Sequence, residues 1–366
     1  MDNTIIENDI LEIWDRLEVS EIEKKSIILT GGTGLIGTYF LFLFKRFNEV
    51  SENKVTVNLI VHNNLPEHLS EFETYSWLNI IRGDLSDLSF CVALPEVDYV
   101  IHAAGYGQPG RFLDNKIKTI RMNTITTDIL LSKLKKNGKA LFVSSSEIYS
   151  GSDAIPYKET DFGCTTPQHP RACYIEGKRC GEAICAAYRE NGLNVKVARV
   201  SLAYGPGVRA DDKRVLYNFI QKGKSGKIEL QDSGVAKRTY CYVSDTVEIL
   251  WDILIKGNDF VYNVGGESHT TIYELAKLVG EKMGATVFVP KDDNGLKGAP
   301  TDVFTNMEKA KTEFNKYTFI SLEDGIERTI GWYKTALENM DGGGYSSIVF
   351  SKYRISLHQE KIKLCA

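Results

Sequence analysis

Tyr174 and Lys178 lie four residues apart in Ala172–Asn191, a stretch whose apolar positions repeat with helical period. A helix puts both side chains on one face. An ammonium beside a phenol stabilises phenolate and lowers its pKa, so Tyr174 is expected to act as an acid/base near neutrality. Upstream, the apolar run Lys139–Ser146 ends in Ser144-Ser145-Ser146-Glu147. Hydroxyls and an acid at the carboxyl end of a parallel strand lie where such sheets bind ligands. Ser145 is expected to hydrogen-bond a reacting oxygen and Glu147 to supply a second acid or base. Tyrosine and lysine at this spacing are common on helix surfaces; the pair gains meaning from what precedes it in the chain.

That preceding feature is Thr30–Gly37, Thr-Gly-Gly-Thr-Gly-Leu-Ile-Gly, with the apolar run Ser26–Leu29 before it and the helical run Leu35–Phe47 after it. Strand, glycine turn and helix is the context of a dinucleotide fingerprint. Gly31 turns the chain off the strand, Gly34 lets backbone approach a pyrophosphate, and Gly37 lets the helix pack closely. The phosphates would sit on the free N–H groups at the helix start.

These elements imply an α/β fold, a doubly wound parallel Rossmann sheet with a smaller C-terminal α/β substrate lobe. The second strand, Val55–Val61, ends in His62-Asn63-Asn64. No acid there repels a 2′-phosphate and no arginine clamps one, so NAD or NADP is expected, with a lean toward tolerating NADP. Asp84 and Leu85 follow a third strand, Leu78–Arg82. A fourth, Val97–Ala104, ends in small residues, Ala103 and Ala104, that can lie against a nicotinamide ribose. One long helix, Asp114–Lys136, is expected to carry a buried Asn123. The expected cofactor contacts are Gly31, Gly34, Leu35, Ile36, Gly37, Asp84, Leu85, Ala103, Ala104, Asn123, Tyr174 and Lys178. A sixth strand, Val195–Tyr204, opens the lobe of short strands and helices. The chain divides into a helical extension (1–25), the dinucleotide-binding unit (26–193), the mainly substrate-binding lobe (194–340) and a tail (341–366) entered through Asp341-Gly-Gly-Gly344.

Composition narrows the partners. The 366 residues carry a net charge of −4, which makes no basic field for nucleic acid. Seven cysteines form no C-x-x-C pair, so reduced thiols in the cytoplasm are expected, and no metal site. Met1–Lys25 carries Asp2, Glu7, Asp9 and Glu12 and lacks the apolar core of a signal peptide. Ile5, Ile6, Ile10, Leu11, Ile13, Trp14 and Leu17 instead mark an amphipathic helix. No stretch is apolar and long enough to span a membrane.

With these residues in hand, the chain resembles the extended short-chain dehydrogenase/reductases over roughly Lys25 to Met340. More narrowly it resembles the NAD-dependent epimerase/dehydratase family that modifies nucleotide sugars. The pattern is similar to that of UDP-glucuronate decarboxylases at Arg171-Ala-Cys-Tyr174-Ile-Glu-Gly-Lys178-Arg179, at Arg214-Val215, at Arg238-Thr-Tyr-Cys-Tyr-Val-Ser-Asp245 and at Ser145-Ser146-Glu147. The resemblance implies hydride transfer at C4 of a nucleoside-diphosphate hexose. It puts Ser145, Tyr174, Lys178 and Glu147 in the catalytic site and Ser146, Arg214 and Arg238 on the substrate. It also implies a homodimer paired through Asp114–Lys136 and Ala172–Asn191.

Three positions depart from that pattern. Gly105-Tyr-Gly-Gln-Pro-Gly-Arg111 replaces a serine/proline-rich sugar loop, Leu202 an asparagine, and Gln231 an aromatic residue near the base. The altered loop and a second strand open to NADPH favour a cofactor that turns over with product. The first expectation is therefore a 4-keto-6-deoxyhexose reductase. The alternative is a UDP-glucuronate decarboxylase-like enzyme, or a 4,6-dehydratase or 4-epimerase, with retained NAD, which would use Glu147. A nucleotide-binding sensor or scaffold is the non-enzyme alternative, against which the intact Ser145, Tyr174 and Lys178 argue.

Overall fold

Short apolar runs form the strands β1 (Ser26–Thr30), β2 (Thr56–Val61), β3 (Leu78–Arg82), β4 (Val97–His102), β5 (Leu134–Ser145) and β6 (Asn194–Val200). Helix α1 (Thr4–Trp14) precedes them. Helices α2 (Leu35–Val50) and α3 (Leu88–Val92) make the first crossovers. The chain then passes through α4 (Pro109–Asp114), α5 (Lys116–Asn123) and α6 (Ile125–Ser132) to β5, and through α7 (Ala172–Glu190) to β6. Beyond β6 lie β7 (Leu202–Tyr204), α8 (Val215–Gly223), β8 (Lys227–Glu229), β9 (Lys237–Tyr242), α9 (Val243–Ile255), β10 (Val261–Val264) and β11 (Ser268–Thr271). Helix α10 (Ile272–Met283), β12 (Thr286–Phe288), β13 (Asp302–Val303), α11 (Glu308–Phe314) and α12 (Leu322–Asp341) complete the order. The computed structural model describes residues 2–209, 212–290 and 301–341, so the tail and its glycine entry lie outside the described residues beyond Asp341.

Seven strands make one parallel sheet in the order β10-β6-β5-β4-β1-β2-β3. Chain order reverses beside β1, which pairs with β2 on one side and β4 on the other. That reversal opens a crevice at the carboxyl ends of β1 and β4. Both faces of the sheet are covered, as an all-parallel sheet requires. Phe40, Phe42, Phe44 and Phe47 of α2 and Trp251 of the wholly buried α9 pack one face. Leu130, Leu131 and Cys185 pack the other against Ile28, Val100 and Phe142.

Two expected elements are broken. The single helix Asp114–Lys136 is two helices, α5 and α6; its first residue ends α4 and its last residues belong to β5. Asn115 (φ −126°, ψ 45°) and Thr124 (φ −116°, ψ −84°) leave helical geometry. Here side chains compete with the backbone for helix carbonyls. Asn123 Nδ2 donates to Thr119 O at 2.8 Å, Thr124 Oγ1 to Ile120 O at 2.8 Å, and Thr127 Oγ1 to Asn123 O at 2.9 Å. The expected strand Val195–Tyr204 divides at Ser201, whose N–H donates to Val264 O and whose hydroxyl donates to Thr239 O. Beyond it, β7 leaves the main sheet and pairs with β9 in a second one.

The amphipathic N-terminal helix is present, and a polar knot holds it. Buried Asp9 accepts from Tyr39 Oη at 2.5 Å, Tyr242 Oη at 2.7 Å and Arg328 Nη1 at 2.6 Å. Burial pushes Asp9 up to about 6 against the pull of these partners. The knot ties α1 to α2, β9 and α12. No described helix is long and apolar enough to cross a membrane.

Candidate active site

The glycine turn sits at the sheet's crevice. Gly31 has φ +76°, and a Cβ there would lie 2.5 Å from Ala103 O. At Gly37 a Cβ would lie 2.3 Å from Gly31 O, so this glycine packs on the turn itself. Gly32 is also constrained, though less, since its Cβ would meet the movable end of the Leu59 side chain rather than backbone; the three-glycine spacing gave no hint of that. Gly34 differs: its Cβ position meets only Gly31 O, at 3.3 Å. Gly34 is the N-cap of α2 and supplies no capping side chain. The first bond into the helix runs from Thr38 N–H to Gly34 O at 2.8 Å, so the N–H groups of Leu35, Ile36 and Gly37 precede it. An open side and an uncapped helix start fit a dinucleotide pyrophosphate.

The neighbouring strand ends are fixed by a buried chain. Ala104 N–H donates to Thr30 Oγ1 at 3.2 Å, and Thr30 Oγ1 is 2.7 Å from His102 Nδ1. His102 Nε2 is 3.0 Å from Met122 O. Only the tautomer protonated at Nε2 satisfies every partner, with the threonine hydroxyl donating to Nδ1. Burial and the charge of Lys178 hold His102 down to about 3, so it stays neutral. Ala103 and Ala104 are thereby held against Gly31.

Asp84 takes both the N–H and the hydroxyl of Ser86 on one oxygen and Lys118 Nζ, at 2.8 Å, on the other. Partial burial raises it, but these bonds win and hold it down to about 2. Leu85 O is occupied by Thr126 Oγ1 at 2.6 Å. His62, Asn63 and Asn64 are exposed at the end of β2. Asn123 is buried against α7, where Gly181 lets the helices close: a Cβ there would be 2.5 Å from Asn123 O. Its Oδ1 has no partner among the described residues.

Ser145, Glu147, Tyr174 and Lys178 converge where β5 ends beside α7. The Tyr174 phenol lies near Ser145, which opposes the rise that burial gives its pKa. Ser145 Oγ accepts Glu147 N–H at 3.2 Å. The expected effect of Lys178 on Tyr174 requires correction. Lys178 Nζ donates to Val143 O at 2.7 Å and stands 5.9 Å from the Tyr174 ring centroid. Burial raises the Tyr174 pKa above the usual tyrosine value; Ser145, Arg171 and Arg214 oppose that rise. Burial in turn pushes Lys178 down to about 8, with Glu182 opposing. The shared helix face was readable from the spacing, but the place of the ammonium was not.

Glu147 is ion-paired to Arg171, and its Oε2 has no partner among the described residues. Ser146 and Glu147 line a small recess with Ser150, Tyr157 and Val303. Arg238 is half-buried on β9, where burial lowers its pKa and the charges of Glu147 and Arg171 both reach it. Arg214 is already engaged: Asp212 takes its Nε at 3.0 Å and its Nη2 at 2.8 Å.

Four residues of the surroundings carried no role in the sequence. Glu182 accepts Ser144 Oγ at 2.5 Å and pairs with Arg199 Nη2 at 2.8 Å. Arg199 Nη1 reaches Tyr149 Oη at 3.0 Å. The available signal was Glu182 one turn beyond Lys178 on the same face. Phe112 stacks on Tyr174, with centroids 4.8 Å apart.

The sheet and the glycine turn define a Rossmann-type, dinucleotide-dependent enzyme. The family model described as "NAD dependent epimerase/dehydratase family" matches residues 27–265, and the chain belongs to that family. UDP-glucuronic acid decarboxylase 1 of Xenopus tropicalis is 30% identical over 335 residues, spanning 89% of this chain and 76% of that protein. UDP-glucuronic acid decarboxylase 3 of Arabidopsis thaliana is 31% identical over 304 residues, spanning 82% and 86%. Among solved structures, a dTDP-glucose 4,6-dehydratase from Streptomyces venezuelae with NAD bound superposes with a TM-score of 0.71 at 23% identity, covering 85% of this chain and 97% of that one. A Bacillus cereus UDP-glucuronic acid 4-epimerase in complex with UDP-glucuronic acid and NAD gives 0.71 at 22%, covering 85% and 99%. These two likenesses establish the fold. The cofactor class is NAD. The comparisons support the alternative, a retained-NAD decarboxylase, dehydratase or epimerase, over the 4-keto-sugar reductase expected first.

Proposed function

We propose that this enzyme oxidises C4 of a nucleoside-diphosphate uronic acid, loses the C5 carboxylate and restores the C4 alcohol with the same NAD. The observation that carries the reading is Glu147, with one carboxylate oxygen on Arg171 and the other without a partner, beside the Ser145–Tyr174 pair. A plain reductase needs one proton, which Tyr174 can supply; a second acid/base has work only where a further bond breaks. Bound NAD would accept two electrons from C4 and return them. Tyr174 would take the C4 hydroxyl proton while Ser145 holds the oxygen. A ketone at C4 makes the C5 carboxylate a β-keto acid, so carbon dioxide leaves as the bonding electrons move toward the C4 oxygen. C5 then needs a proton, and Glu147 is the available group. The positive charges of Arg171 and Arg238 suit an anionic sugar.

Residues 26–193 would bind the dinucleotide, through the twelve contacts expected from the sequence, and 194–340 mainly the sugar nucleotide. Exposed Ile117, Ile120 and Ile125 on α5 and α6 support pairing of two chains across these helices and α7. The described cysteines are free thiols, which supports a cytoplasmic location.

The test is to incubate the purified protein separately with UDP-glucuronate, UDP-glucose and dTDP-glucose, without added cofactor, and to weigh the products. Loss of carbon dioxide from the uronate supports the proposal. Loss of water or an isomer of unchanged mass selects dehydration or epimerisation instead. Turnover only of a 4-keto sugar with added NAD(P)H restores the reductase.

A further inference from the structure

The ring of Phe112, on α4, touches what supports both acid/base candidates. It lies parallel to Tyr174, with centroids 4.8 Å apart and planes at 11°. The Arg171 guanidinium carbon stands 5.6 Å from the centroid of the same Phe112 ring, and Arg171 carries Glu147. Phe112 is 1% exposed. Its carbonyl lies 3.6 Å from Cys173 Sγ, a second tie between α4 and the first turn of α7.

From these contacts we infer that Phe112 is a positioning residue, fixing the plane of the Tyr174 ring and the seat of Arg171, and through Arg171 the Glu147 carboxylate. A tyrosine ring turns over a broad torsional well. A parallel neighbour narrows that well, because offset-stacked rings attract. The same ring's quadrupole attracts the Arg171 cation. An aliphatic side chain of similar bulk would fill the space and do neither. Phe112 follows directly on Gly105–Arg111, the loop where this chain departs from the pattern it resembles, so that loop also sets the stage for the acid/base pair. What Tyr174 and Glu147 do rests on the proposed function; the placement of their side chains by Phe112 does not.

Phe112→Leu and Phe112→Tyr test this with two readouts. One is the rate at which nucleotide sugar reduces the bound NAD, followed across pH. The other, which needs no substrate, is the fluorine NMR resonance of a fluorotyrosine incorporated at position 174. Phe112→Leu is expected to slow the reduction about tenfold, the worth of an aromatic pair, with KM unchanged and the pH optimum displaced. Its resonance should broaden or split, and Phe112→Tyr should match the wild type in both. Should Phe112→Leu fail to fold, Phe112→Met, whose unbranched side chain adapts to irregular space, takes its place. A wild-type resonance and rate in the aliphatic variant, or equal damage in Phe112→Tyr, overturns the inference. If no nucleotide sugar reduces the wild type's NAD, the proposed function fails, and the resonance comparison alone decides the role of Phe112.

Discussion

Arg171, at the N-cap of α7, is ion-paired to Glu147, two residues beyond Ser145 at the end of β5. The pair bridges strand end and helix start, so the carboxylate and the Tyr174 phenol three residues further along the helix share one framework.

Glu147→Gln keeps the shape of that framework and removes its charge. Under the proposed function C4 oxidation and loss of carbon dioxide still proceed, but protonation of C5 stalls. With a nucleoside-diphosphate uronate as the only added substrate, reduced cofactor should therefore accumulate on the enzyme, visible by its absorbance. A loss of activity worth only one hydrogen bond, about 0.5–1.5 kcal/mol, with no such build-up would return the reductase to first place.

Tyr174→Phe should lower turnover by about 10²–10⁴-fold, the usual worth of general acid/base help. The ring still stacks on Phe112, so NAD affinity measured by titration should hardly change. Retention of more than about a tenth of the activity removes Tyr174 from the proposed role.

The fingerprint glycines should separate by readout. At Gly34 a Cβ would meet only Gly31 O, at 3.3 Å, so Gly34→Val is expected to abolish NAD binding at a smaller cost in melting temperature. At Gly37 a Cβ would press 2.3 Å from Gly31 O, so Gly37→Ala should destabilise the fold by about 1–3 kcal/mol. Calorimetry with and without NAD distinguishes the two, and equal melting losses would contradict the geometry.

His68 makes acid sensitivity predictable. Burial, then the positive charges of the N-terminus and Arg209, lower its pKa from 6.5 to about 4. Its Nε2 has no partner among the described residues. The unfolded chain therefore takes up a proton below pH 6.5 that the folded one refuses until about pH 4. The contribution of His68 is intact above 6.5 and falls by about 1.4 kcal/mol per pH unit below it. Asp9, pushed up to about 6, acts in the opposite sense between about 6 and 3.8. His68→Phe should thus lose less stability than the wild type between pH 7 and pH 5, by about 2 kcal/mol in denaturant titrations. Parallel losses would show that His68 is not buried as described.

Much of the fold was written locally. The strand Leu78–Arg82 and the amphipathic N-terminal helix fall where period and turn residues put them. Tyr174 and Lys178 share a face because four residues make a turn. What escaped depends on contacts that no window of sequence contains. Asn123 and Thr124 break a helix whose apolar period runs straight through them. Ser201 sends a continuous apolar run into two sheets because Val264 and Thr239 are there to bond it. Arg214 is held by Asp212, and Lys178 turns to a carbonyl of β5 rather than to the phenol.

The knot at Asp9 also bears on how this protein comes off the ribosome. Asp9 and Arg328 are 319 residues apart in sequence. At about 5–20 residues per second, tens of seconds of synthesis separate the two. Through most of translation the Asp9 carboxylate therefore has hydroxyl partners, Tyr39 and later Tyr242, but not its cation. Chains stalled or cut short before residue 328 should hold α1 less firmly and expose it more readily to proteases, a distinction that limited proteolysis of arrested nascent chains would reveal.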